Sequence, residues 1–171
     1  MISVKSLLRT LGLALLTATA SQAQSHHTAG VTGAEVLQLT QQYLSAAPKR
    51  YIGSAGHTAA ENFIKAHFKP EAAKGNFIDD SFTAHTPIGY LTMHNLIVKF
   101  PGKKPGVIVL ASHYETNYWL KDINFVGAND GACTSALLIA LGQYFRDHPP
   151  QGYSIWLLFT DGEESINQQW T

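Results

Sequence analysis

The chain has 171 residues, of which 45% are hydrophobic and 14% are charged, which is ordinary for a globular enzyme and allows one domain with a sizeable core. This composition excludes disordered and fibrous proteins. The 12 basic and 12 acidic side chains balance, so the chain lacks the basic surface that marks nucleic-acid-binding proteins. Its single cysteine, Cys133, excludes an internal disulfide framework.

The N-terminus has the pattern of an export signal. Lys5 and Arg9 precede the apolar stretch 11–20, and the small residues Ser21 and Ala23 follow it. We therefore predict a signal peptide over 1–23 and a periplasmic or extracellular protein that has no stable membrane association after cleavage. A membrane anchor is the alternative, although the stretch falls short of the ~20 residues that a spanning helix needs.

Two amphipathic helices are predicted in the first half of the chain. Thr32 and Glu35 have the spacing of a capping box, so residues 24–47 should form an N-terminal tail and a helix. Thr58 and Glu61 repeat that spacing, which predicts that a second helix begins near this point.

The strands follow in two patterns. The runs 77–85 and 90–100 are separated by turn residues and predict a β-hairpin. The uninterrupted apolar run 107–111 is typical of a strand that is covered on both faces. A helix over about 131–148 and a strand over 153–159 come next, so we expect a right-handed βαβ unit with two parallel strands.

A group of acidic residues directly follows the last predicted strand. Asp161, Glu163 and Glu164 place three carboxylates within four positions. Their mutual repulsion favours a bound cation or a shared proton. Successive side chains point in different directions, so one glutamate can coordinate a metal while its neighbour acts as an acid or a base. A solvated turn is the alternative.

Two more candidate ligands should reach the same edge of the sheet. His113 ends the first strand of the βαβ unit, and Asp130 begins its helix. Taken alone, His113 is more typical of a structural hydrogen-bonding residue, and Asp130 could equally be a helix N-cap. Together with a glutamate they favour zinc over calcium or magnesium, which prefer more oxygen ligands.

Five motifs carry a family resemblance. In chain order they are Arg50–Gly56, Thr86–Tyr90, Ser112–Glu115, Phe125–Asp130 and Asp161–Glu164. In this order, over about 48–170, the chain resembles the zinc exopeptidase superfamily, peptidase family 28, and within it the glutaminyl-peptide cyclotransferases. The resemblance implies an α/β three-layer sandwich with a mixed, largely parallel central sheet. Only the N-terminal part of that fold would be present, as a partial catalytic domain over 48–171.

The resemblance also implies roles for particular residues. Asp130 and Glu164 would bind zinc, and Glu163 would be the general base and acid that converts the N-terminal glutamine of a peptide to pyroglutamate. Trp170 would line the substrate pocket. In the aminopeptidase relatives, which release N-terminal residues, His113 and a bridging Asp130 would hold a second zinc.

Two departures from the family pattern bear on these expectations. Glu115 stands where relatives usually have aspartate, which alters the support of His113. Relatives also continue well past Glu164 and supply another zinc-binding histidine, so we expect the chain to be C-terminally truncated, with a strand at 153–159 that lacks a neighbour on one side. A non-catalytic exported domain is therefore the third functional possibility.

Overall fold

The computed structural model describes residues 30–168. The predicted signal peptide (1–23) and Trp170 lie outside the described residues. Within 30–168, no helix is long and apolar enough to cross a membrane.

Four α-helices and four β-strands make up the described part of the chain. They are α1 (Gly33–Ala46), α2 (Ala55–His67), α3 (Lys69–Ala73), β1 (Phe77–Thr86), β2 (Gly89–Phe100), β3 (Lys104–His113), α4 (Cys133–Asp147) and β4 (Tyr153–Thr160).

The two N-terminal helices begin at different kinds of cap. The predicted capping box of α1 is confirmed, because the backbone N–H of Thr32 donates to Glu35 Oε2 at 2.7 Å and that of Glu35 donates to Thr32 Oγ1 at 3.3 Å. The predicted start of α2 near Thr58 is wrong. Ser54 is the N-cap and accepts a hydrogen bond from the backbone N–H of His57, so α2 begins earlier and His57 lies in its first turn.

The sheet has the strand order β1-β2-β4-β3. β1 and β2 form the predicted antiparallel hairpin, β2 and β4 are antiparallel, and β3 and β4 are the predicted parallel pair. The mixed α/β fold is thus confirmed. The expectation that the strand ending at Phe159 lacks a neighbour is wrong, because β4 pairs on both sides.

Strand β3 is the edge strand on that side of the described sheet. Its residues Val107, Ile108 and Val109 are 47%, 45% and 50% exposed. The prediction that this strand is covered on both faces is therefore wrong. An apolar run indicates a strand, but it does not determine whether other elements cover that strand.

The hydrophobic core lies between the sheet and the helices. Its large, fully buried members come from α1, α2, β2, α4 and β4. They are Tyr43, Ile64, Leu96, Val98, Ile139, Leu157 and Phe159, and Phe68 just after α2 joins them. This packing fixes the ends of β3 and β4, beyond which the candidate site residues lie.

Candidate active site

The parallel pairing of β3 with β4 brings the sequence-predicted site residues to one edge of the sheet. His113 is in register with Thr160, so the chain after Thr160 emerges beside His113. Ligand atoms of His113, Asp130 and Glu164 lie within 4.8 Å of one another. We call these three residues the open cluster. Glu163 is exposed beside it and is not one of the three.

Asp130 reaches His113 from an irregular turn before α4. Its backbone is extended, with φ −101° and ψ 104°, and Gly131 has φ 79°. A Cβ at Gly131 would lie 2.9 Å from His113 Cε1, so glycine permits this close approach. Asp130 Oδ1 lies 3.1 Å from His113 Nε2.

The helix N-cap alternative for Asp130 does not hold. Helix α4 begins at Cys133, two residues later than predicted, and its N-cap is Ala132, which makes no side-chain capping bond. The carboxylate of Asp130 is 61% exposed and faces His113, so it is free to bind a ligand at this edge.

Residues 161–164, which we call the carboxylate loop, turn sharply at Gly162 (φ 71°). The backbone N–H groups of Glu163 and Glu164 both donate to Glu115 Oε1, at 2.7 and 2.9 Å. Glu115 is only 1% exposed. The side chain that departs from the family pattern by one methylene therefore anchors the two glutamates through their backbone.

Glu164 and Glu163 have different surroundings. Glu164 is half-buried, and its Oε2 accepts a hydrogen bond from Asn117 Nδ2 at 3.0 Å. Desolvation raises the pKa of Glu164, and the charges of Asp130 and Glu163 add to this effect against the hydrogen bond from Asn117. A cation bound at the open cluster would lower the free-energy cost of keeping Glu164 ionised. Sequence reasoning did not identify Asn117, because an isolated asparagine in a loop carries no spacing signal.

The donor set of the open cluster fits zinc. It offers one imidazole and two carboxylates, and a catalytic zinc has three protein ligands with a further position open to substrate or water. Buried among the described residues, His113 Nδ1 and Glu115 Oε2 lack hydrogen-bond partners and lie 3.9 Å apart. A metal-bound imidazole usually donates its other N–H to such a carboxylate.

A second group of titratable residues includes the first residue of the carboxylate loop, Asp161. We call His57, Glu61 and Asp161 the buried cluster, since all three are in or near the core and their ligand atoms also lie within 4.8 Å of one another. His57 Nε2 is 2.7 Å from Asp161 Oδ1. Sequence reasoning missed His57 because α2 was predicted to begin after it. The i, i+4 spacing of His57 and Glu61 becomes a signal only once the helix start is known.

Comparisons with known proteins connect this geometry with a family. Residues 95–168 match the model for Peptidase family M28. Over this segment the chain is similar to peptidase family M28. It is 32% identical over 131 residues to the glutaminyl-peptide cyclotransferase of Boiga irregularis, an alignment that covers 69% of this chain and 36% of the relative.

Two solved structures extend the comparison to the fold. The glutaminyl cyclase of an Acidobacteriales bacterium is 65% identical, with a TM-score of 0.81 over 83% of this chain and 48% of that one. The glutaminyl cyclase of Macrostomum lignano is 27% identical, with a TM-score of 0.68 over 82% of this chain and 41% of that one. The fold is therefore zinc exopeptidase-like. The chain spans about a third of the length of the curated relatives and less than half of these two structures.

Proposed function

We propose that the carboxylate loop and the open cluster form the zinc-binding part of a glutaminyl-peptide cyclotransferase site. Asp130 and Glu164 are the zinc ligands, and Glu163 is the general base and acid. The substrate is a peptide or protein with an N-terminal glutamine. The observation that carries the proposal is the convergence of His113, Asp130 and Glu164 at one sheet edge, with Glu163 exposed beside them. The similarity to a glutaminyl-peptide cyclotransferase and to a glutaminyl cyclase supports the same activity.

The chemistry requires one proton carrier and one electrophilic centre. Bound zinc supplies the polarisation of the glutamine side-chain carbonyl. Glu163 takes a proton from the α-amine as its nitrogen bonds to that carbonyl carbon, and returns the proton to the departing ammonia as the carbon–nitrogen bond of the amide breaks. Glu115 holds the backbone of both glutamates, which leaves the side chain of Glu163 exposed to a substrate.

A cavity beside Glu164 provides room for the rest of the peptide. Its volume is about 320 Å³, and apolar side chains from β1, β2 and the loops contribute to it. They include Ile52, Phe82, Pro87, Met93 and Ile166. We propose that the residue after the N-terminal glutamine lies here.

An aminopeptidase is the second candidate, because His113 Nε2 lies 3.1 Å from Asp130 Oδ1 and these two groups are positioned to share a second zinc. The two activities give different products. Release of ammonia with pyroglutamate on the peptide supports the cyclotransferase, and release of a free N-terminal residue supports the aminopeptidase. A chain with neither activity and no bound zinc would be the non-catalytic domain.

Substitution of the proton carrier tests the proposal. Glu163→Gln keeps the size of the side chain but removes its basicity, so we expect a fall in turnover of about 10²–10⁴-fold with unchanged zinc content. Pyroglutamate formation on a glutamine peptide is measured by mass spectrometry, and zinc by atomic emission. Asp122→Asn, a matched change at a loop carboxylate that is 83% exposed, should leave both unchanged. Full activity of Glu163→Gln would refute the role of Glu163.

We also propose that the chain is exported. The support is the pattern of the first 23 residues, which predicts removal of 1–23 and leaves 24–47 as the N-terminal tail and helix before the catalytic segment 48–171. N-terminal sequencing of the exported protein should begin at Gln24. A start at Met1 would contradict the signal peptide.

A further inference from the structure

The buried cluster is joined to the carboxylate loop through Asp161. Asp161 is the first residue of this loop, and its side chain has no solvent exposure. Its Oδ1 lies 2.7 Å from His57 Nε2, and its Oδ2 accepts a hydrogen bond from the backbone N–H of His94 at 2.9 Å. The backbone N–H of Asp161 donates to Asn95 Oδ1 at 3.1 Å. Asp161 is therefore fixed from both α2 and β2.

The partners of this cluster argue against a second metal site. Both oxygens of Asp161 already have hydrogen-bond partners. Glu61 Oε2 is 3.3 Å from Lys65 Nζ, and Glu61 Oε1 accepts a hydrogen bond from Tyr114 Oη at 3.4 Å. A metal ion would have to displace these bonds, whereas in the open cluster Asp130 is 61% exposed and, within the described residues, His113 Nδ1 lacks a partner.

His57 also contacts Tyr114, the neighbour of the second anchor of the loop, Glu115. Its ring stacks on Tyr114, with the ring centroids 5.3 Å apart and the planes 21° from parallel. Tyr114 directly precedes Glu115, whose Oε1 binds the backbone N–H groups of Glu163 and Glu164. The carbonyl of Tyr114 accepts hydrogen bonds from Arg50 Nε and Tyr43 Oη, so this segment is itself held in place.

We propose that His57 is a positioning residue for the carboxylate loop. It binds Asp161 at the start of the loop and packs against Tyr114 beside Glu115, and so sets where Glu163 and Glu164 lie relative to His113 and Asp130. The effect of His57 on catalysis rests on the proposed function. Its effect on the geometry of the loop does not.

The charge environment of His57 is consistent with this role. Burial alone lowers the pKa of His57, but the hydrogen bond and charge of Asp161, together with the charges of Glu61 and Glu115, outweigh burial and raise it above the ordinary value. The imidazolium that results holds the Asp161 carboxylate more strongly than a neutral ring would.

Two variants of His57 separate its contacts. His57→Phe keeps a ring to stack on Tyr114 but loses the bond to Asp161. In His57→Gln the side-chain amide nitrogen takes the place of Nε2 and retains that bond. Native-state hydrogen exchange of the Glu163 and Glu164 amides should speed up at least about tenfold in His57→Phe, with exchange in the α4 and β4 core much less affected. His57→Gln should stay close to the unmodified chain. His67→Gln, on the same helix, is the matched control.

Catalysis gives a second readout on the same variants. A displaced loop should lower kcat of His57→Phe about 10–100-fold with little change in KM, and His57→Gln should restore most of the loss. Unchanged exchange of both glutamate amides in His57→Phe would overturn the proposal. If the unmodified chain does not cyclise glutamine peptides, the proposed function fails, and the exchange data still decide the role of His57.

A further variant covers the case in which His57→Phe does not fold. His57→Asn is polar, but its side chain is too short to reach Asp161. It should show the same faster exchange of the two glutamate amides as His57→Phe. Exchange equal to that of His57→Gln would overturn the proposal.

Discussion

The open cluster and the buried cluster contain the same kinds of residue, one histidine and two carboxylates each, within the same 4.8 Å spread of ligand atoms. Their surroundings differ. In the buried cluster, His57 and Asp161 bind each other at 2.7 Å, and Asp161 also accepts a backbone N–H group. In the open cluster, Asp130 is 61% exposed, and His113 Nδ1 is buried and lacks a partner within the described residues.

This difference shows that residue composition does not identify a functional site. Buried polar groups stabilise a fold when their hydrogen bonds are complete, whereas the exposed carboxylate of Asp130 keeps oxygen lone pairs available for a ligand. We therefore propose structural support for the buried cluster and metal binding for the open one. The two are linked, because Asp161 and Glu164 lie at opposite ends of the carboxylate loop.

The largest expected effect is on stability. Asp161→Ala removes one partner of a buried pair and leaves His57 with an uncompensated charge, so we expect the free energy of unfolding to fall by about 3–5 kcal/mol. Asp130→Ala removes an exposed carboxylate and should cost less than about 1 kcal/mol. Urea denaturation followed by circular dichroism measures both. Similar losses for the two variants would remove the distinction between the clusters.

A smaller effect is expected in the pH dependence of stability. The pKa of His57 is raised in the folded state, so the stabilisation from its protonated form is fully present below about pH 6.5, the ordinary value, and is lost as the pH rises through the raised folded pKa. The groups that face His57 are Asp161, Glu61, Glu115 and Tyr114.

His57→Gln provides the comparison for that measurement. The difference in the free energy of unfolding between the unmodified chain and this variant should shrink as the pH rises from 6 to 9, because only the unmodified chain loses a proton from position 57. Urea denaturation at several pH values gives the curve. A difference that stays constant or grows over this range would contradict the raised pKa.

Sequence patterns predicted much of the fold because the signals are local. The β1–β2 hairpin, the capping box of α1 and the parallel β3–β4 pair follow from turn residues, cap spacing and the strand–helix–strand order. The start of α2 was predicted wrongly because two possible N-caps, Ser54 and Thr58, lie four residues apart. Only the tertiary environment decides between them.

The candidate site was predictable to a similar extent. His113, Asp130 and Glu164 could be expected at one edge from their positions at the ends of elements, and the structure brings them together. The two hydrogen bonds that Glu115 Oε1 accepts from the loop amides could not be predicted, since they depend on the turn at Gly162. The partnership of His57 with Asp161 joins residues 104 positions apart, and no local pattern relates them.

Histidine side-chain NMR during a zinc titration tests the central claim most directly, because each cluster contains one histidine that reports on it. We predict that adding one equivalent of zinc shifts the imidazole resonances of His113, because its Nε2 lies 3.1 Å from the proposed ligand Asp130, and leaves those of His57 unchanged. Asp130→Ala should weaken or abolish the shift. A shift confined to His57, or none at His113 at saturating zinc, would contradict the assignment of metal binding to the open cluster.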